Sequence, residues 1–560
     1  MGNETNTSSS KKRLATAAAF LVLATAGSRV LGLVREIVMV TYLGLGPTMG
    51  AFTVANKVPS LVRTLLADTA LSAALIPVFS GLLEKERRRE AWQVAYTVTV
   101  LATVVLGVVT VLGMIFAPEV VKVVAPGFSN DPAIVSLTVH LMRIMFPTVV
   151  IMGIAGIFMG ILNSYNHFRL PALAPIVWNL IIIAVVILFS AGHGLEALVW
   201  GVLVGSVFEL LMQVPAVWTR RWRRSRAPLR VAAGGYNVYE GAAFSPWRLD
   251  LHNPDVRRVG LLIGPVILSL GVINFNAFID TIFGTLISIP APAYIDKAFR
   301  LFQLPQGVFA IAIGTVLFPA FSRHAAAHRM KEFREDLSTG LRQIFFTTLP
   351  FAAFFAVLAL PTVRLIYEHG KVTPGEAAAV ASALTFFSLG MAFVSVNTLL
   401  NRAFYSIQKP WLPLIMGAVN LAMNAGLDFA FYKPLGVGGI TLSTSLVSFF
   451  NFFALMLLLG PRIGGVDARR VAWSAARAVL ALIPLGAAAY AVWWSLDGVL
   501  GRRLWAQVLS VGLAYVAGSA AYLGAAWLMR MPEIRELVDV IRRRRQPRST
   551  EDVIDREPEG

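Results

Sequence analysis

The chain is written in long apolar blocks separated by short polar connections. Residues 94–116, 176–190, 195–218 and 478–494 are runs in which nearly every position is apolar. Each is close to the ~20 residues that carry an α-helix across a hydrocarbon core of ~30 Å. About fourteen such blocks follow one another along the chain. Their apolarity extends round every face, which excludes the short segments of alternating polarity that build a membrane β-barrel. The pattern predicts an all-α integral membrane protein of about fourteen transmembrane helices.

The blocks repeat. Leu75-Ile76-Pro77-Val78-Phe79-Ser80 is echoed by Leu317-Phe318-Pro319-Ala320-Phe321-Ser322, and Val177-Trp178-Asn179-Leu180 by Ala418-Val419-Asn420-Leu421. Pro319 follows Pro77 by 242 positions and Asn420 follows Asn179 by 241, so two anchors about a hundred residues apart share one offset. A duplicated six-helix unit accounts for this. An even number of spans per unit makes the halves parallel, related by an axis along the membrane normal. The expected organisation is a disordered cytoplasmic N-terminus over residues 1–13, an N-lobe over 14–220 and a cytoplasmic linker over 221–254. A C-lobe over 255–461, two further spans within 462–530 and a cytoplasmic tail over 531–560 complete it. Lys11-Lys12-Arg13 precedes the first block as in a signal peptide, but no small-residue cleavage site comes after it, so this span is read as retained.

Composition agrees: 56% of the 560 residues are hydrophobic and 14% charged, against roughly 25% charged in soluble domains. The absence of cysteine excludes disulfides and thiolate metal sites. A net charge of +18 would suggest nucleic-acid binding in a soluble protein, but its distribution points elsewhere. Lys and Arg gather in every second connection: Lys85 with Arg87, Arg88 and Arg89; Arg169; residues 220–258; 323–334; Lys409; 462–470; and 542–545. The intervening connections hold little beyond Lys122, Lys371, Lys433, Arg502 and Arg503. This is the positive-inside pattern, and it predicts a multi-pass protein with both termini in the cytoplasm. The basic loops also suit anionic membrane lipids.

Charges inside the spans are the candidates for function, because burying one at the bilayer centre costs at least ~2.5 kcal/mol. In the first half these are Arg29, Arg35, Glu36, Lys57, Arg63 and Asp68; in the second, Asp280, Asp296, Lys297, Arg300 and Asp428. A cation-rich first half fits an anionic substrate, and isolated aspartates in the second fit a small cation. Arginine matches phosphate because its guanidinium donates in a planar fork and stays charged. Arg29 and Arg35 stand about 240° apart on an ideal helix, so a break at Gly32 is expected to let them converge. The competing arrangement is an ion pair between Arg29 and Glu36, seven residues on and nearly on one face.

Ser28-Arg29-Val30-Leu31-Gly32-Leu33-Val34-Arg35-Glu36, Ala51-Phe52 and Asn56-Lys57-Val58-Pro59-Ser60-Leu61-Val62-Arg63 resemble the first two helices of the MurJ (MviN) lipid II flippase family. Ala125-Pro126-Gly127-Phe128, Gly160-Ile161-Leu162-Asn163, Pro171-Ala172-Leu173-Ala174-Pro175, Gln303-Leu304-Pro305-Gln306-Gly307-Val308-Phe309 and Glu368-His369-Gly370-Lys371-Val372-Thr373 extend the resemblance in order.

The resemblance implies the multidrug/oligosaccharidyl-lipid/polysaccharide exporter fold: two six-helix lobes around a central cavity, and two last helices forming a groove for a lipid tail. It implies a transporter rather than an enzyme. The expected cargo is lipid II, the undecaprenyl-diphosphate-linked peptidoglycan precursor, carried across the bacterial cytoplasmic membrane by alternating access. Cell-wall synthesis proteins are candidate partners, and nucleic acid is not. The family's cavity arginines fall on Arg29, Arg35, Arg63 and Arg300, as ligands of the diphosphate and sugar; Gly32 and Glu36 are the candidates, on the residues alone, for a helix break and a gate. Some members bind sodium, and the matching donors are Asp280, Asn424, Asp428, Thr444 and the Ile440 carbonyl. A hydrogen-bonded helix-packing cluster of the same residues is the alternative. Two carboxylates common in the family are replaced, by Gly50 and Gln303. Other readings are an exporter of another polyprenyl-linked glycan or of a cationic drug, a polyprenyl-phosphate enzyme, and a cell-wall scaffold that does not transport.

Overall fold

The computed structural model describes residue 24 and residues 27–68, 70–165, 167–225 and 249–534. The N-terminus at 1–13, most of the 221–254 linker and the tail beyond 534 lie outside the described residues. Helix α1 covers residues 27–43. Then come α2 (Pro47–Val62), a π-helical turn (Arg63–Asp68), α3 (Ala70–Glu84), α4 (Arg88–Ile115), the short α5 (Ala117–Val124), α6 (Pro132–Met145), α7 (Pro147–Ser164), α8 (Arg169–His193) and α9 (Leu195–Ser225). The second half holds α10 (Pro254–Ile287), α11 (Ala291–Ala326), α12 (Met330–Val357), the short α13 (Ala359–Tyr367), α14 (Pro374–Ser406), α15 (Trp411–Ile463), α16 (Ala468–Leu500) and α17 (Leu504–Leu528).

Among the described residues, 10 helical segments are long and apolar enough to cross a membrane. One of them, α15, has 53 residues and a non-helical Gly436 (φ 56, ψ −134). At 1.5 Å per residue it extends about 80 Å, enough for two passes. With α1, the α2–π–α3 segment and α10, the count agrees with the fourteen blocks. Proline starts α2, α6, α7 and α10, where its missing N–H leaves no helical bond unmade. Asp131 and Asn253 cap α6 and α10 by accepting from first-turn amides.

The chain forms two compact units. The first comprises Met1–Lys297, Ile366–Val380 and Leu421–Ile440; the second comprises Ala298–Leu365, Ala381–Asn420 and Thr441–Gly560. These units do not follow the lobe boundaries read from the repeat, because residues 255–297 pack within the first. In the first unit α3 lies against α7 and α10, α2 against α6, and α8 against α9.

In the second unit α16 and α17 pack on each other and α16 on α12, around Phe346, Phe354, Leu485, Ala514 and Tyr522. Their outer faces are apolar, with Leu480, Ile483, Val516 and Leu523 exposed, as lipid-facing positions should be. Trp473 and Trp494 on α16 are 21 residues apart, and Trp505 and Trp527 on α17 are 22 apart. Each spacing is about 31–33 Å of helix, the thickness of a hydrocarbon core, and all four rings are exposed. They mark the two interfaces where indoles concentrate.

Candidate functional site

Arg35 is held from three sides. Its Nη2 lies 2.5 Å from Glu36 Oε1, its Nη1 donates to Asn179 Oδ1 at 3.1 Å, and its guanidinium covers the Trp178 ring at 4.8 Å. Asn179 is oriented by its own helix. Its Nδ2 donates to the Pro175 carbonyl at 2.9 Å, which leaves Oδ1 aimed at the arginine. The other Glu36 oxygen is bonded by Lys297 Nζ, and Lys297 stands 3.6 Å from Asp296. Tyr367 donates to the Lys297 carbonyl at 3.4 Å. Glu36 and Lys297 are 3% and 2% exposed, so one buried carboxylate joins two cations inside the first unit.

The break expected at Gly32 is absent, because residues 27–43 are one continuous helix. A glycine inside a helix costs only ~1 kcal/mol, and no flanking proline turns that cost into a kink. Arg29 therefore stays on another face from Arg35 and is exposed. The Arg29–Glu36 pair does not form either, and Glu36 takes Arg35 and Lys297 instead. Arg63 opens the π-turn, half-buried, four residues after Pro59 interrupts the α2 bonding pattern. Such a turn inserts an extra residue and re-aims the helix downstream of it, and it recurs at functional sites. Arg300 is exposed in the second unit, one turn beyond Lys297 on α11.

Asp280, Asn424 and Asp428 are brought together. Asn424 Nδ2 donates to Asp280 Oδ1 at 2.7 Å and to Asp428 Oδ2 at 3.0 Å, and all three are buried. Asn424 Oδ1 is buried with no hydrogen-bond partner among the described residues. Ile440 is buried in the same unit, one turn past the Gly436 kink, whereas Thr444 belongs to the second unit.

The two replaced carboxylates differ in meaning. A Cβ on Gly50 would lie 2.0 Å from the Ile289 carbonyl oxygen, so no side chain fits there while α2 meets the turn before α11. Gln303 is simply exposed in the second unit. At Gly370, with φ +60, a Cβ would fall 2.1 Å from the Thr41 carbonyl, which accepts from Lys371 N at 3.1 Å. Gly127 N donates to Thr285 Oγ1 at 3.4 Å. A Cβ on Gly127 would lie 1.9 Å from the Thr285 carbonyl oxygen, so Gly50, Gly127 and Gly370 all sit where backbone meets backbone within the first unit.

Sequence reasoning missed the roles of Lys297, Trp178, Asn179 and Tyr367. Lys297 stood out only as a charge, and Trp178-Asn179 only as a repeat anchor. It also missed Arg342, whose Nη1 meets Glu533 Oε1 at 2.8 Å while Ser474 Oγ donates to the same oxygen at 2.8 Å. This buried pair ties the residues after α17 to α12 and α16 in the second unit. An arginine in the otherwise uncharged residues 337–357 of α12 was the available signal.

The family model described as "Lipid II flippase MurJ" matches residues 39–508. A probable lipid II flippase MurJ from Rhizobium tropici is 31% identical over 456 residues, covering 78% of this chain and 79% of the relative. The lipid II flippase MurJ of Burkholderia cenocepacia is 28% identical over 509 residues, covering 90% and 95%. Among solved structures, a lipid II flippase MurJ in an inward closed conformation superposes with a TM-score of 0.70 at 22% identity, over 90% of this chain and 98% of that one. An inward-facing MATE family multidrug resistance transporter of the MOP superfamily gives 0.62 at 16%, over 78% and 94%. At those identities the structural likeness is one of fold.

Proposed function

Because the chain belongs to the MurJ family of lipid II flippases, we propose that it carries lipid II from the inner to the outer leaflet of the bacterial cytoplasmic membrane, both termini being cytoplasmic. It is a transporter, and no bond is made or broken. The observation that carries this reading is the arginine on the Trp178 ring. A guanidinium held by Glu36 and Asn179 inside an apolar unit is pre-aimed, and an anion arriving there pays little to order it. Arg35 and Lys297 are matched by Glu36 and Asp296, and the donor left for a diphosphate oxygen is Arg35 Nε, buried with no hydrogen-bond partner among the described residues. Arg29 and Arg63, in the same unit, join as further ligands when the cargo is bound, and Arg300 is a candidate ligand on the family resemblance.

Movement is built on the backbone contacts of Gly50 and Gly370. By the positive-inside orientation these close the outward end, and alternating access requires them to part and re-form. Sodium is the proposed coupling ion. Asp280, Asn424 and Asp428 offer hard oxygen donors. Two buried carboxylates sharing one amide favour a cation beside them, and the unpartnered Asn424 oxygen is a ready ligand. The expected result is that sodium, and not potassium, raises the melting temperature of purified protein, and that Asp428→Ala removes the difference. A sodium effect of equal size in Asp428→Ala would sink the assignment.

The central test uses proteoliposomes loaded with lipid II. Arg35→Ala is expected to lower translocation at least about tenfold at unchanged protein level, the scale of a charge-assisted pair. Arg35→Lys should fall between, since it keeps charge but loses the fork. Normal translocation by Arg35→Ala would overturn the role given to this cluster.

A further inference from the structure

A cavity of about 600 Å³ opens in the first unit between the end of α3 and the end of α7. None of the residues around Arg35 lines it. Its polar lining is Ser80, Glu84, Asn163 and Ser164, and its apolar lining includes Ile76 and Phe168. The size is within the range of small-ligand sites. Its walls are held by their sequence neighbours: Phe79 meets Trp92 and Tyr165 edge-on at 5.8 Å each, and Trp92 Nε1 donates to the Tyr165 hydroxyl at 3.1 Å. Ser164 donates to the Gly160 carbonyl at 2.9 Å, which turns the lone pairs of its hydroxyl oxygen outward as acceptors.

The chemistry is opposite in sign to that at Arg35. Among the described residues, Glu84 is the one charged group lining the cavity, in a chain of net charge +18. Arg87 in the adjacent turn is engaged by Glu90. A carboxylate, an amide oxygen and two hydroxyls can accept the three donors of an alkylammonium group, while Ile76 and Phe168 cover its methylenes. One carboxylate in so large a space is a poor metal site, and the basic residues at the adjoining turns, Lys85, Arg88, Arg89 and Arg169, are not part of its lining.

We propose that this cavity binds the amine-bearing side chain of the peptide stem of lipid II; the proposal rests on the flippase reading and on the cytoplasmic orientation of this turn. A peptide stem later cross-linked through new amide bonds must arrive with a free amine, so the cargo carries a cation as well as its diphosphate. The cavity and the Arg35 cluster would then read opposite charges on one molecule, which a lipid diphosphate lacking the peptide does not present.

The test is binding of full-length protein in nanodiscs to two probes: lipid II with a lysine amine in its stem, and the same lipid N-acetylated on that amine. Wild type should prefer the free amine about three- to fivefold, the scale of a solvent-screened ion pair. Glu84→Gln should abolish the preference while leaving affinity for the acetylated lipid unchanged, and Glu84→Lys should reverse it. Equal binding of both lipids by wild type, or a preference retained by Glu84→Gln, overturns the cavity's role and leaves the flippase reading standing. Binding of neither lipid by wild type overturns both.

Discussion

At Glu36 a single carboxylate divides its two oxygens between Arg35 and Lys297, and this sets a ranking among substitutions. Lys297→Met leaves an intact Arg35–Glu36 pair. Glu36→Gln leaves two cations with only the more exposed Asp296, 3.6 Å from Lys297, to offset them, which is the costlier state. Removing one partner from a buried pair costs about 3 kcal/mol or more, mostly through the charge left behind. Glu36→Gln is therefore expected to lower the melting temperature further than Lys297→Met. The double variant should recover part of the loss, since it no longer crowds two cations. A double variant less stable than Glu36→Gln alone would show that Lys297 stabilises through contacts other than charge. This pair spans 261 positions of sequence, and helical spacing ranks only partners within a few turns. That is why Arg29, seven residues before Glu36, looked like the alternative partner. The Asp280–Asn424–Asp428 cluster was more legible, because two of its members are four apart on one helix and the third is a lone aspartate in an apolar run.

Among the elements, the span blocks were readable because a ~30 Å core imposes a length that no tertiary contact can alter. Irregularities within spans were not. Gly32 was expected to break a helix and does not, while Arg63–Asp68 forms a π-turn that no residue type announces. Close approaches belong to the same class: a glycine shows that a Cβ is dispensable, not which backbone lies opposite. The approach at Gly50 has a measurable consequence. Gly50→Ala places a methyl group against the Ile289 carbonyl, so the joint between α2 and the α10–α11 turn must loosen. Native cysteine is absent, so Thr285→Cys, at a position 2% exposed on α10, serves as a clean reporter. Its reaction with a membrane-impermeant maleimide added from outside is expected to be slow in the parent and several-fold faster with Gly50→Ala. An unchanged rate would mean that the joint yields without opening.

Across the whole chain, charge and aromatic placement make separate statements about the membrane, and they can be set against each other. The indole pairs on α16 and α17 fix where the two interfaces fall but not which is inside. The distribution of Lys and Arg supplies the sign, yet Arg502 and Arg503 in the α16–α17 connection run against it. Positive-inside bias is a sum over many connections rather than a rule for each one, so two arginines opposed by the basic stretch at residues 462–470 should not invert this pair. Arg502 and Asp467 are both exposed, at opposite ends of α16. In spheroplasts, Arg502→Cys is expected to react with an impermeant maleimide, and Asp467→Cys only after permeabilisation. The reverse result would invert α16 and α17 and, through the even number of spans before them, both termini. It would also place the Gly50 and Gly370 contacts at the cytoplasmic end, so that the cavity beside Glu84 would meet the peptide stem after transfer instead of before it.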